Sequence, residues 1–152
     1  MKYNIRKWTY DDFETILDLG ESMWHEGAYA HMTFDRQKVL NTFMTLMSTD
    51  KGVGFVAEKE GEIIGGIVVV INNYYFNNEK VANDLALYVD PKHRKSIFVP
   101  IRLINAGTEW AKEQGAREFR PGSTVEIASD RVEKLYKFMK FKTVGHLFKK
   151  EL

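Results

Sequence analysis

The strongest constraint on how this chain can fold is a succession of three Val- and Ile-rich runs within residues 54–89. Residues 54–59 and 63–75 read as strands joined at Glu60-Gly61-Glu62, and residues 81–89 as a third after the turn at Asn77-Asn78. β-Branched side chains at that density fit a pleated, buried sheet. Connections this short make the strands antiparallel, so a meander lies at the centre of the chain and the flanking segments must cover it.

The flanks supply strands and helices. Residues 4–8 read as an initial strand. Thr9 followed by Asp12 resembles a capping box, and Phe13, Ile16, Leu17 and Trp24 recur at helical spacing behind it. Asp35 caps a second helix through Val39, Leu40, Phe43, Met44 and Met47. After the meander, Pro100 suits the first turn of a third helix that runs through Leu103 and Trp110 and stops at Gly115. A short strand at 118–120, a helix capped by Ser129 and a last strand at 143–148 complete the order β-α-α-β-β-β-α-β-α-β, an α/β domain with a mixed central sheet flanked by helices.

Composition narrows the function classes. The 152 residues, 44% of them hydrophobic, make one domain spanning 1–152 with a substantial core. There is no cysteine, which removes thiolate chemistry and suits a reducing compartment. The start lacks an apolar leader, and the longest apolar stretch, 63–71, is far too short for a bilayer, so the expectation is a cytoplasmic protein without membrane association. His25 and His31 have no metal-ligand pattern around them, and no metal is expected. Phosphate-loop, nucleophile-elbow and dinucleotide motifs are all missing. Charge is uneven: residues 1–90 carry a net of −6 and residues 91–152 a net of +7. The lysines of 134–150 are interleaved with apolar Leu135, Phe138, Met139 and Phe141, which favours a solubilising face over nucleic-acid contact.

One fourteen-residue segment concentrates chemistry. Residues 87–100, Leu-Tyr-Val-Asp-Pro-Lys-His-Arg-Lys-Ser-Ile-Phe-Val-Pro, combine a strand end, a basic turn and a helix start. Unpaired N–H groups, the helix dipole and Lys92, Arg94 and Lys95 make this either a pyrophosphate cradle or an ordinary solvated turn. Together with Trp110-Ala111-Lys112, Gly115-Ala116, Leu135-Tyr136, Phe141 and Gly145, in that order, the segment resembles the GNAT family of N-acetyltransferases over nearly the whole chain.

The resemblance implies the GNAT (acyl-CoA N-acyltransferase) fold, acetyl-CoA as cosubstrate, and direct transfer of an acetyl group to a primary amine in a ternary complex. It implies cofactor contacts from Leu87, Tyr88, Val89, Arg94, Lys95, Ser96, Ile97, Phe98, Val99 and Ser129. Tyr136 falls on the family's Leu-Tyr tyrosine and becomes the candidate acid for the leaving thiolate; by spacing alone it reads as core. Asp84 lies near the family's catalytic carboxylate and becomes the candidate base, placed by strict alternation on one face with Ala86 and Tyr88, or else a structural acid at the cleft edge. The segment between the first two helices walls the acceptor side in this family, so Trp24, Glu26, Tyr29 and His31 are candidate substrate contacts, able to hold a small-molecule or peptide amine or to form a plain lid. Family members are often dimers, and Tyr74-Tyr75-Phe76 offers an apolar surface for a homodimer.

The departures carry a competing reading. Ile97 and Val99 replace the small residues of the cofactor loop, Ser129 and Val132 replace the usual Asn and Ala, and Lys140 replaces a Gly. β-Branched residues narrow such a loop unless it keeps helical dihedrals. The alternative is therefore a GNAT-fold binding or assembly protein that has lost CoA binding and catalysis.

Overall fold

The computed structural model describes residues 2–123 and 125–152. Five strands form one sheet: β1 (Asn4–Lys7), β2 (Gly52–Lys59), β3 (Glu62–Asn73), β4 (Lys80–Val89) and β5 (Ala116–Arg120), in spatial order β1-β2-β3-β4-β5. Four helices, α1 (Phe13–Glu26), α2 (Arg36–Met47), α3 (Phe98–Glu113) and α4 (Ser129–Phe138), surround it. Neighbouring strands are antiparallel except β4 and β5, which are parallel and joined through α3.

The cap residues act as their chemistry requires. The Asp12 carboxylate accepts the Thr9 N–H at 2.6 Å, in a one-turn 3-10 helix, Tyr10–Asp12, that leads into α1. The Asp35 carboxylate accepts the Lys38 N–H at 3.1 Å and starts α2. Gly115, with φ +79°, takes the left-handed turn after α3.

Two apolar layers fix the sheet between the helices. On one face Ile64, Ile67, Val69 and Ala82 pack with Val99, Leu103, Ile104 and Trp110 of α3. On the other, Val56 and Val68 pack with Trp8, Phe13, Leu40 and Phe43 beneath α1 and α2. Gly54 permits the second layer, because a Cβ there would lie 2.2 Å from the Trp8 ring.

The chain departs from its sequence pattern near its end. Ser129 is the first residue of α4 rather than its cap; the cap position is Ala128, in the left-handed region at φ +49°, with no side-chain hydrogen bond to the helix. Residues 143–148 form no strand and follow α4 without joining the sheet, leaving Leu147 82% and Phe148 89% exposed. α4 instead closes through a Schellman motif, with Lys140 N–H donating to the Lys137 carbonyl and Phe141 N–H to the Tyr136 carbonyl, each at 3.0 Å. The closing residue is Lys140, at φ +70°. A glycine in the family pattern at this position has a plain backbone reason, and this chain holds a side chain there at a steric cost.

Candidate active site

The site originates in a partial strand pairing. β5 pairs with β4 only along Lys80–Asn83, ending at Asn83 opposite Arg120, while β4 continues to Val89. β5 ends at Arg120, the chain after it leaves β4, and the edge of β4 from Asp84 to Val89 faces a cleft of about 400 Å³. Its far wall is α4 with the residues after β5, contributing Arg120, Gly122, Arg131, Val132, Leu135 and Tyr136. An exposed strand edge offers unpaired N–H and C=O groups along one line, a natural track for an extended amide-bearing ligand.

A bulge in β4 decides which side chains enter the cleft. Val68 of β3 stands opposite Ala86 and Val69 opposite Asp84, so Leu85 has no partner. The alternation of β4 therefore reverses at Leu85. Asp84 shares the α3 face with Ala82, Leu87 and Val89, while Ala86 and Tyr88 face α1 and α2. This corrects the strict alternation that grouped Asp84 with Ala86 and Tyr88.

At the point of divergence the Asp84 carboxylate accepts the Gly122 N–H at 2.9 Å. Burial raises the carboxyl above its ordinary range, against the lowering effect of the Gly122 bond. The Tyr136 hydroxyl is buried with no hydrogen-bond partner among the described residues. Burial, and next the nearby Asp84 charge, raise the phenol well above its usual value, so it stays protonated at neutral pH. Tyr136 also packs on the main core, with its ring 5.3 Å from Phe141; packing and a cleft position coincide in one side chain.

The other end of the cleft is the basic turn. Leu87, Tyr88, Val89, Arg94, Ser96 and Ile97 line it, whereas Lys95, Phe98, Val99 and Ser129 do not. Ile97 has helical dihedrals, φ −76° and ψ −13°, and caps α3, so the loop reaches the helix without glycine. Val99 turns its side chain into the core and is fully buried, leaving that side chain no part in a cofactor contact. The Ser96 hydroxyl accepts the Phe98 N–H at 3.2 Å.

Arg94 is already engaged. Its guanidinium makes a forked pair with Glu26 at the end of α1, Nη2 lying 2.7 Å from Oε2 and Nη1 bonding Oε1, while its Nε donates to the Val89 carbonyl at 2.8 Å. The Tyr88 hydroxyl donates to the same Glu26 carboxylate at 3.0 Å, and Arg94 lies 4.9 Å above the Tyr88 ring. Arg94 holds the Glu26 carboxyl below its usual range, and burial with the Glu26 bond pushes the Tyr88 phenol up to about 12. Glu26 thus joins the acceptor-side helix to the basic turn.

The other acceptor-side candidates stand apart from the cleft. Trp24 is half-buried against His25 and Phe34, its indole N–H without a hydrogen-bond partner among the described residues, and Tyr29 and His31 are exposed on the turn after α1. Met23, Arg120 and Arg131 line the cleft without a motif of their own. Their one trace in the sequence is the positive balance of the second half, which Arg120 and Arg131 bring to the cleft wall.

The candidate site is thus a cleft along the β4 edge past the end of β5, walled by the start of α3 and by α4, in an α/β protein. The sequence profile of the acetyltransferase (GNAT) family matches residues 3–141, and the chain belongs to that family of N-acetyltransferases. A search of curated protein sequences finds no significant match. Among solved structures, the fold is similar to AAC(6')-Iy in complex with the bisubstrate analog CoA-S-monomethyl-acetylneamine, at 19% identity and TM-score 0.82 over 100% of this chain and 99% of that one. It is also similar to glucosamine-6-phosphate N-acetyltransferase from Arabidopsis thaliana, at 16% identity and TM-score 0.77 over 99% of each chain. A putative acetyl transferase from Pyrococcus furiosus matches at 20% identity and TM-score 0.74, over 99% of this chain and 100% of that one. Among the described residues no helix is long and apolar enough to cross a membrane.

Proposed function

We propose that this protein transfers an acyl group from an acyl-CoA, acetyl-CoA in the simplest case, to a primary amine held in the same complex. The observation that carries this reading is the free edge of β4 from Asp84 to Val89, facing a tyrosine whose buried hydroxyl has no partner among the described residues.

The residues fit the group. The β4 edge at Leu87, Tyr88 and Val89 suits the amide-bearing arm of CoA, and Arg94, Ser96 and Ile97 at the start of α3 suit its diphosphate. Bound acyl-CoA would supply an activated acyl thioester. An alkylammonium, with an ordinary pKa near 10, must lose a proton before its nitrogen can attack. Asp84, whose pKa burial raises above the ordinary carboxylate range, takes that proton, directly or through one water. Tyr136 gives its phenolic proton to the sulfur as the carbon–sulfur bond breaks, and the Asp84 proton then returns to the phenolate or to solvent. The nitrogen–carbon bond forms and the carbon–sulfur bond breaks; of the two protons the ammonium loses on becoming an amide, one restores the phenol that protonated the sulfur and the other leaves to solvent.

The acceptor is a small-molecule or peptide amine entering beside α1 and its following turn, the stretch that carries Trp24, Tyr29 and His31. Glu26 acts there as a tether for Arg94, and its charge is largely spent on that pair. The solved relatives act on an aminoglycoside and on glucosamine-6-phosphate by their names, which supports an amine acceptor and leaves its class open. A homodimer is part of this reading: β5 is an edge strand with no further partner strand among the described residues, and Val144, Leu147 and Phe148 are apolar and exposed on the segment after α4.

Isothermal calorimetry with CoA and acetyl-CoA tests the reading. Micromolar binding, about −8 kcal/mol, supports it. No heat and no thermal stabilisation at saturating ligand would overturn it in favour of a non-catalytic protein that keeps the fold.

A further inference from the structure

A second cavity, of about 320 Å³, lies on the opposite face of the sheet, between it and the α1–α2 pair. Ile16 and Gly20 of α1, Val39 and Phe43 of α2, and Val68 of β3 are among its walls. Its lining is almost wholly apolar, and among the described residues its only charged side chain, Lys38, is exposed on α2. The volume falls in the range of small-ligand sites.

This chamber adjoins the candidate active site across a shared wall. Met23, Leu85, Ala86 and Tyr88 line both spaces, and Leu85 is the bulged residue at which β4 reverses its faces. The shared wall runs along β4 from Leu85, next to Asp84, to Tyr88, beneath Arg94, and its Leu85–Ala86 part forms a junction at the Asp84 end of the cleft. On the reading above, a CoA arm anchored at the basic turn and running along β4 delivers its thioester to that junction. What extends past the thioester carbonyl is the acyl chain. The proton-handling groups lie on the other face with Asp84, and no carboxylate lines the chamber to hold an ammonium.

We infer that the chamber is an acyl site, and that the protein accepts unbranched acyl groups several carbons longer than acetyl. This rests on the proposed acyl-CoA reading. The bond changes are the same whatever the chain length, since the hydrocarbon tail is carried unchanged from sulfur to nitrogen. A hydrocarbon chain gains by leaving water for an apolar wall, whereas an acetyl group would leave most of the chamber unfilled.

Calorimetric titration of the full chain with CoA and with acetyl-, butyryl-, hexanoyl- and octanoyl-CoA tests the inference. Affinity should rise by about fourfold for each methylene buried, until the chamber is filled. Gly20 gives the matching variants, because a Cβ there would meet only the Phe34 ring edge at 3.7 Å. Gly20→Ala should keep the chain-length series. Gly20→Leu should fill the chamber and abolish the gain for hexanoyl- and octanoyl-CoA while leaving CoA affinity within about twofold. Val39→Phe is the second filling variant if Gly20→Leu does not fold. Equal affinity for all acyl-CoAs with CoA still bound overturns the acyl site and leaves the proposed function standing. No binding of CoA itself overturns both.

Discussion

The Asp84 carboxylate and the Gly122 N–H, 2.9 Å apart, join β4 to the segment after β5 where the two strands separate. One bond thus marks the apex of the cleft and fixes the carboxylate at it.

Asp84→Asn separates the chemical from the structural role. The amide oxygen can still accept the Gly122 N–H, so the fold should survive. Because burial raises the Asp84 pKa in the folded state, ionised Asp84 opposes folding above that raised value and the opposition fades as pH falls through it. The variant should therefore melt no lower than the parent at pH 7, while kcat/KM falls by roughly a hundredfold or more and the acid limb of its pH profile disappears. A pH profile of unchanged shape would remove Asp84 from proton transfer.

Tyr136→Phe deletes a buried hydroxyl that has no partner among the described residues. Replacing an unsatisfied polar group by hydrogen is neutral or stabilising, by up to about 1 kcal/mol. Turnover should fall by about tenfold to a hundredfold, with CoA affinity within twofold of the parent. A melting temperature held or raised alongside unaltered turnover would assign the residue to packing alone.

Glu26→Gln tests the tether. The half-exposed pair with Arg94 contributes about 1 kcal/mol, seen as a small fall in melting temperature. Arg94 holds the Glu26 carboxyl below its ordinary value, so that contribution is present above the unfolded pKa and is lost as pH falls through the folded one. Freed from its partner, Arg94 should bind CoA several-fold more tightly, with steeper weakening by salt. Titration at two ionic strengths checks this, and weaker CoA binding would count against Arg94 as a diphosphate contact.

Lys140→Gly relieves a left-handed residue at the end of α4, where φ is +70°. Both Schellman hydrogen bonds are backbone to backbone and should persist. A gain of about 1 kcal/mol in unfolding free energy is expected by denaturant titration.

Asp12→Asn removes the charge from a buried carboxylate that bonds Arg6 at 2.8 and 2.9 Å and pins β1 to the start of α1. Stability should fall by about 2 kcal/mol at pH 7. The Arg6 bonds hold Asp12 below its ordinary pKa, so the difference between variant and parent should vanish in acid, as pH falls through the folded-state value.

What the sequence disclosed follows from range. The meander and the Asp35 cap depend on neighbours a few residues apart, and both are found where periodicity places them. The bulge at Leu85 depends on how β3 and β4 come into register, which no local pattern records, so the face assigned to Asp84 came out reversed. Ile97 and Val99 read in sequence as narrowing the loop unless it is helical, because the pattern holds no side-chain directions; in the fold one caps α3 with helical dihedrals and the other is core. The Glu26–Arg94 pair spans sixty-eight residues and has no local signature.

The short pairing of β5 has a dynamic consequence. Four paired positions hold β5 to the sheet, and α4 contains no fully buried residue, whereas β2, β3 and β4 are knit along nearly their whole length. Cooperative unfolding should therefore begin at the C-terminal wall of the cleft. Amides of β5 and α4 should exchange with solvent through a low-energy opening while those of β3 wait for global unfolding, and bound ligand, by bridging β4 to α4, should slow the first class far more than the second.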